Sequence, residues 1–128
     1  MKRGFMQQPG FTLVELMVVL AVIALLISIV APHYVGRVAR AEEVVLRENL
    51  TLLRAALDRH YADAGRYPAS LEELVSKKYL RAVPTDPITQ SSTTWVVIAP
   101  DDPAKGAVFD VRSGAKGNGA SGKPYAEW

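Results

Sequence analysis

The sequence predicts an α+β protein in which one long N-terminal helix packs on a small antiparallel sheet. Three observations predict it. Residues 11–31 form an apolar run interrupted by one carboxylate, Glu15. Leu46, Leu50, Leu53, Leu57 and Tyr61 recur at spacings of four, three, four and four, the stripe of an amphipathic helix. Residues 93–98 and 107–111 are two β-branched and aromatic runs separated by a loop holding proline and glycine, the pattern of paired strands.

The elements follow in chain order. Residues 1–10 are a short basic leader with Lys2, Arg3 and a final Gly10. As a helix, the 21 residues from 11 to 31 span about 31 Å, the thickness of a bilayer core. A cleaved secretory signal would show a shorter apolar region and a small-x-small site, and none precedes Pro32. A plain membrane anchor explains the apolar run, but not the lone Glu15 or the glycine before it. An ionised group at membrane depth is costly and is normally held by a partner. If the chain is cut after Gly10, the amine of Phe11 on a neighbouring copy is the natural counter-ion for Glu15.

Beyond Pro32 the helical pattern resumes, with Arg47, Glu48, Arg54, Asp58, Arg59 and His60 assigned to the polar faces, and Gly65 closes it as a C-terminal cap. Ser70-Leu71-Glu72-Glu73 has the spacing of a capping box and opens a short helix ending near Lys77 and Lys78. Pro84 and Pro87 bar regular structure before the first strand, residues 93–98. Residues 100–106 form a turn-rich loop and residues 107–111 the second strand. Residues 113–122, with four glycines, read as a flexible loop, and residues 125–128 as a third strand. Trp95 and Trp128 are assigned to packing.

Composition narrows the function classes. The formal charge of +2 rests on the leader: without Lys2 and Arg3, 15 − 2 = 13 basic residues face 13 acidic ones. Nothing in that balance calls for a nucleic-acid partner. There is no cysteine, hence no disulfide framework or thiolate chemistry, and two histidines do not build a histidine-rich metal site. No nucleophile, base and oxyanion donor assemble in the sequence, so an enzyme is the weakest class.

Gly10-Phe11-Thr12-Leu13-Val14-Glu15, followed by the unbroken apolar run, resembles the type III signal of type IV pilins and type II secretion pseudopilins. The resemblance implies a pilin-like fold and cleavage by prepilin peptidase between Gly10 and Phe11. It further implies N-methylation of Phe11 and assembly into a filament through Glu15 and Phe11. Pro32 stands where the family often has a helix-breaking proline, whereas Ala24 stands where many members have glycine. The order of Gly65-Arg66-Tyr67-Pro68, Leu71-Glu72-Glu73-Leu74, Tyr79-Leu80 and Pro84-Thr85-Asp86-Pro87 is similar to that of the G-type, or major, pseudopilin. So are Phe109-Asp110-Val111-Arg112-Ser113-Gly114 and the terminal tryptophan.

That resemblance would bring calcium to the loop after the second strand. Calcium takes six to eight hard oxygen ligands, several of them carboxylates. Residues 113–123 contain no acid, and Lys116 occupies the place of a family aspartate, so no metal or other cofactor is expected here. Asp101-Asp102 reads as a solvated turn, and His33 lies at the membrane interface.

The expectation is therefore a leader at 1–10, a transmembrane helix at 11–31 and a periplasmic domain at 32–128. Lys2 and Arg3 favour a cytoplasmic N-terminus, while Arg37 and Arg40 oppose it, so the C-terminal domain is placed outside on the resemblance. The protein would sit in the bacterial inner membrane with one pass. It would polymerise with itself and with other pseudopilins on an inner-membrane assembly platform, as a structural subunit driving type II protein secretion. The alternatives are a type IV pilin or minor pilin in adhesion, motility or DNA uptake, and a single-pass periplasmic binding protein that never polymerises.

Overall fold

The computed structural model describes Gly4 and residues 10–128. Lys2, Arg3 and most of the leader lie outside the described residues. The element order is helix α1 (Leu13–Ala64), helix α2 (Leu71–Ser76), strand β1 (Val96–Ile98), a 3₁₀ turn at Pro103–Lys105, strand β2 (Asp110–Arg112) and a 3₁₀ turn at Tyr125–Glu127. The chain divides into two compact units, one ending at Arg37 and the other Val38–Trp128. That boundary lies a little beyond Pro32, the first residue of the expected domain.

In the first unit, α1 is apolar all round and none of its apolar window is buried. It is long and apolar enough to cross a membrane. Pro32, expected as a helix break, lies inside α1, which continues to Ala64. Proline has no N–H to return to the carbonyl four residues back, which is that of Ser28. Two side chains bond backbone carbonyls in the same stretch: the Ser28 hydroxyl donates to Leu25 O at 2.6 Å, and His33 Nδ1 lies 2.9 Å from Ile29 O.

In the second unit, the stripe of α1 makes the core. Leu46, Leu50, Leu53 and Leu57 are buried, with Ala56 between them. Leu71, Leu74 and Leu80 from α2 and its exit, Trp95 before β1, Val108 and Val111 around β2, and Tyr125 close over them. Gly65 ends α1 with φ +72° and donates its N–H to Tyr61 O at 2.8 Å, the left-handed cap expected of it.

His60 corrects the sequence reading. It is fully buried, not on a polar face. Its Nδ1 lies 2.8 Å from Arg66 O, and because a carbonyl only accepts, Nδ1 is the donor. Its Nε2 has no hydrogen-bond partner and faces Glu73 Oε1 at 3.7 Å.

Helix α2 starts where predicted, by a different device. Ser70 has extended backbone and its side chain makes no cap bond. Glu73 closes the turn instead, accepting the Ala69 N–H at 2.5 Å, and it pairs with Lys77 at 2.9 Å. Those two donors hold its carboxyl at about 2, from an ordinary 4.5, with Lys77 the larger cause. Lys78 carries the chain out with φ 66°.

The strands are shorter than their sequence runs. β1 pairs antiparallel with β2 in the register Val96↔Arg112, Val97↔Val111 and Ile98↔Asp110. Residues 93–95 fall outside the ladder, and the Thr93 N–H donates instead to the Ser91 hydroxyl at 3.2 Å. On the other side, the N–H groups of Ala107 and Val108 both donate to Pro68 O, so pairing begins only at Phe109, which donates to Ile98 O. The expected third strand is a 3₁₀ turn. Pro124 has no N–H to give a ladder, and Glu127 N–H and Trp128 N–H donate to Pro124 O and Tyr125 O.

Candidate processing and assembly segment

The expected processing residues lie at the start of α1. Gly10 and Phe11 precede the helix in exposed, irregular chain, and Phe11 is 88% exposed. A peptide bond there is open to a protease, whereas one inside the helix would have to be unwound first. Thr12 is the N-cap: its Oγ1 accepts the Glu15 N–H at 3.2 Å, and its carbonyl accepts the Leu16 N–H at 3.1 Å. Thr12-Leu13-Val14-Glu15 thus has capping-box spacing, a signal the sequence reading missed because membrane depth drew attention to Glu15 alone.

Glu15 falls in the first turn of α1, where the helix N-terminus favours negative charge. It is exposed, as is every apolar side chain around it. The structure therefore brings Phe11, Thr12 and Glu15 together at one helix start. Pro32 stands apart from them, 17 residues further along α1 (32 − 15).

In the second unit, side chains of α1 tie down the C-terminal loops, which sequence reasoning did not foresee. Arg54 donates through Nε to Asp110 Oδ1 at 2.9 Å and through Nη2 to the carbonyls of Val111 at 3.0 Å and Trp128 at 2.9 Å. Arg47 lies over the Trp128 ring at 4.8 Å. Glu43 Oε1 accepts from Ala120 N at 2.6 Å and from the Tyr125 hydroxyl at 3.1 Å. Burial, then that Glu43 contact, push the Tyr125 hydroxyl pKa up. The glycine-rich loop is therefore pinned at several points. Gly114 is required there, since a Cβ would collide with the Thr94 carbonyl.

Asp86 was also missed. It is fully buried, and its Oδ1 accepts the Ile88 N–H at 2.9 Å while its Oδ2 accepts the Ser113 hydroxyl at 2.6 Å. The visible signal was Asp86-Pro87, a turn-forming pair whose carboxylate bonds its own backbone.

These bonds bear on whether the loop could hold calcium. Asp110 is engaged by a guanidinium and Ser113 by Asp86, and the two carboxylates that reach the loop from elsewhere are taken up as well, Glu43 by Ala120 and Tyr125 and Asp86 by Ser113 and Ile88. Lys116 is exposed in the same loop. Among the described residues, no group of three or more His, Cys, Asp or Glu side chains is placed to hold a metal. The residues present do not fit a calcium ion.

Asp101 and Asp102 lie in an exposed turn, with Asp102 Oδ1 capping it from the Ala104 N–H at 3.0 Å. Trp95 is core and donates its Nε1–H to Pro84 O at 2.8 Å.

Comparison with known proteins completes the description. Residues 3–31 match the family described as the prokaryotic N-terminal methylation motif. The chain is 34% identical over 97 residues to the type II secretion system core protein G of Pseudomonas aeruginosa, covering 63% of this chain and 68% of that one. It is 30% identical over 133 residues to the protein of the same name from Vibrio cholerae, covering 89% of each. The protein of that name from Escherichia coli is 32% identical over 97 residues, covering 63% of this chain and 67% of that one. No solved structure matches the chain.

Proposed function

Because the chain belongs to the family of the type II secretion system core protein G, the G-type pseudopilins, we propose that it matures by cleavage between Gly10 and Phe11 and assembles into a periplasmic filament. It is a structural pseudopilin, and among the described residues it has one helix long and apolar enough to anchor it in a membrane. Prepilin peptidase would remove the leader, Phe11 would be N-methylated, and the mature chain would wait in the inner membrane. Extraction and stacking on an assembly platform, with other pseudopilins, would then build the filament that moves cargo outward. Phe11 and Glu15 would make the contact between copies. Within the subunit, Pro32 would mark where α1 gives way if the helix loosens during that stacking.

The observation that carries this reading is the helix start. An exposed Gly10–Phe11 bond, a Thr12 cap and a first-turn Glu15 open an apolar helix long enough to span a bilayer. A plain anchor needs only the last of these. Mass spectrometry of the membrane-extracted protein tests it. The expected species begins with N-methyl-phenylalanine at position 11, and Gly10→Leu leaves the uncut chain. A wild-type chain that keeps its leader, or a Gly10→Leu chain that still loses it, contradicts the reading.

A further inference from the structure

Val38–Trp128 carries two exposed patches of opposite chemistry that its fold does not use against each other. The first is a groove of about 280 Å³ lined by Tyr61, Tyr67, Phe109, Asp101, Asp102 and Lys105. The two tyrosine rings stack at 4.5 Å, and Phe109 meets Tyr67 edge-on at 5.4 Å. Phe109 is 49% exposed, so a large apolar face stays in water beside two carboxylates and one ammonium. Aromatic faces rimmed by carboxylates suit a cationic side chain, through the ring quadrupole and charge together.

The second patch is the loop of residues 113–123, which contains no acid and presents Lys116 and Lys123 to solvent. Three ion pairs form among the described residues, and they include none of Asp101, Asp102, Lys116 and Lys123. None of these four charges is in an ion pair, although Asp102 Oδ1 accepts the Ala104 N–H within the turn.

The two patches are separate surfaces of the unit. Glu43 holds the lysine loop through Ala120, and Lys123 lies beside Arg47, Leu50, Thr51 and Arg54, while Tyr61 and Phe109 line the groove. Among the described residues no ion pair joins them within one copy, and a contact between unlike patches of two copies propagates as an open chain and does not close into a dimer.

We propose that the aromatic, acidic groove of one copy receives the lysine loop of the next, and that this is a longitudinal contact of the polymer. The proposal rests on the filament reading above and adds a second contact, in the Val38–Trp128 unit, to the one at the helix start. Lys116 or Lys123 enters the groove, over the tyrosine rings and between Asp101 and Asp102. Such charge pairs fix register and partner choice more than they add affinity.

The chain has no cysteine, so thiol cross-linking of the full-length protein in membranes is a clean test. A chain with both Asp101→Cys and Lys116→Cys should give a ladder of dimers, trimers and longer species with a short bifunctional thiol reagent. Either substitution alone should not. In parallel, Asp101→Lys with Asp102→Lys should lower filament recovered by shearing by about tenfold, at unchanged membrane abundance of the monomer. Adding Lys116→Asp and Lys123→Asp should restore it. Wild-type filaments together with no ladder, and full assembly of the reversed chain, overturn the contact and leave the pseudopilin reading standing. Dimers from Asp101→Cys alone overturn it in favour of a symmetric contact. If the wild-type chain forms no filament at all, the filament reading fails and this contact fails with it.

Discussion

Glu15 is placed where two effects oppose each other. The helix N-terminus and the Thr12 cap favour a carboxylate there by about 0.3–1 kcal/mol. A bilayer around α1 opposes it, by about 2.5–3.5 kcal/mol on insertion scales for an acid at the helix centre and by less at the helix start, where Glu15 stands. On the proposed filament reading, the Phe11 amine of a neighbouring copy is the partner that offsets this cost, with the right sign and height. Two substitutions separate cap from charge. Glu15→Gln keeps a side chain able to complete a capping box but carries no charge; Glu15→Val keeps neither. Both should insert and be cleaved at least as well as wild type, since a charge has left the membrane segment. Both should lose filaments, because one charge of a buried pair is stranded at a cost of about 3–5 kcal/mol. Filament yield from sheared fractions, with the variant as the only copy, is the measurement. Normal yield from Glu15→Gln would give the residue a capping role alone, and normal yield from Glu15→Val would sink the pairing mechanism.

Helix α2 shows how an element's stability can hang on one carboxylate. Six residues do not make a stable helix by themselves, so its ends and its packing decide. Glu73 supplies the Ala69 bond and the Lys77 pair, and these hold its carboxyl at about 2. The sign follows from the depressed value. The contribution is present in full above the unfolded carboxyl range near 4.5 and is lost as pH falls through about 2. Glu73→Gln should therefore be less stable than wild type at pH 7, with a gap that narrows steadily from pH 4.5 to 2. Denaturant midpoints of the full chain in detergent measure it, and a gap independent of pH would show that the charge contributes nothing. The sequence showed this helix but not its fastening, since Ser70 and Glu73 have capping-box spacing whichever of them makes the bond. The stripe of α1 was legible because each of its leucines has no rival to burial. His60 obeys the same spacing, three after Leu57 and seven after Leu53, yet its polarity sent it to the wrong face. The strand ends were illegible because they depend on a distant acceptor, Pro68 O, which takes the donors of Ala107 and Val108. The Tyr125–Glu127 turn was foreshadowed by Pro124, whose missing donor counted for more than the aromatic residues after it.

At the scale of the whole chain, the question is what secures a unit of roughly 90 residues, Val38–Trp128, that has no disulfide and a short two-stranded sheet. The answer lies on α1, whose side chains reach across to the C-terminal loops. Arg54 joins the Asp110 carboxylate and the Val111 carbonyl of β2 to the Trp128 carbonyl, and Glu43 holds the glycine-rich loop. A guanidinium that already neutralises Asp110 leaves that carboxylate little to offer a divalent cation, and Lys116 repels one. Thermal melts of the full chain in detergent should therefore coincide in millimolar calcium and in chelator. A ligand that binds only the native state must raise Tm by mass action, so a calcium-dependent rise would overturn this account. Arg54→Met isolates the fastening. Hydrogen bonds to charged groups contribute about 1.5–3 kcal/mol, but the Arg54 side chain is 40% exposed, which discounts them to about 1–2 kcal/mol in total. Tm should fall by about 5–15 °C in a unit of this size. Asp110→Asn should cost less, and the double variant should cost less than the sum, because the two side chains act as one pair. Full additivity would mean that Arg54 stabilises the loops through Val111 and Trp128 alone. A calcium-dependent rise confined to Arg54→Met would show that the guanidinium occupies the place a cation would otherwise take.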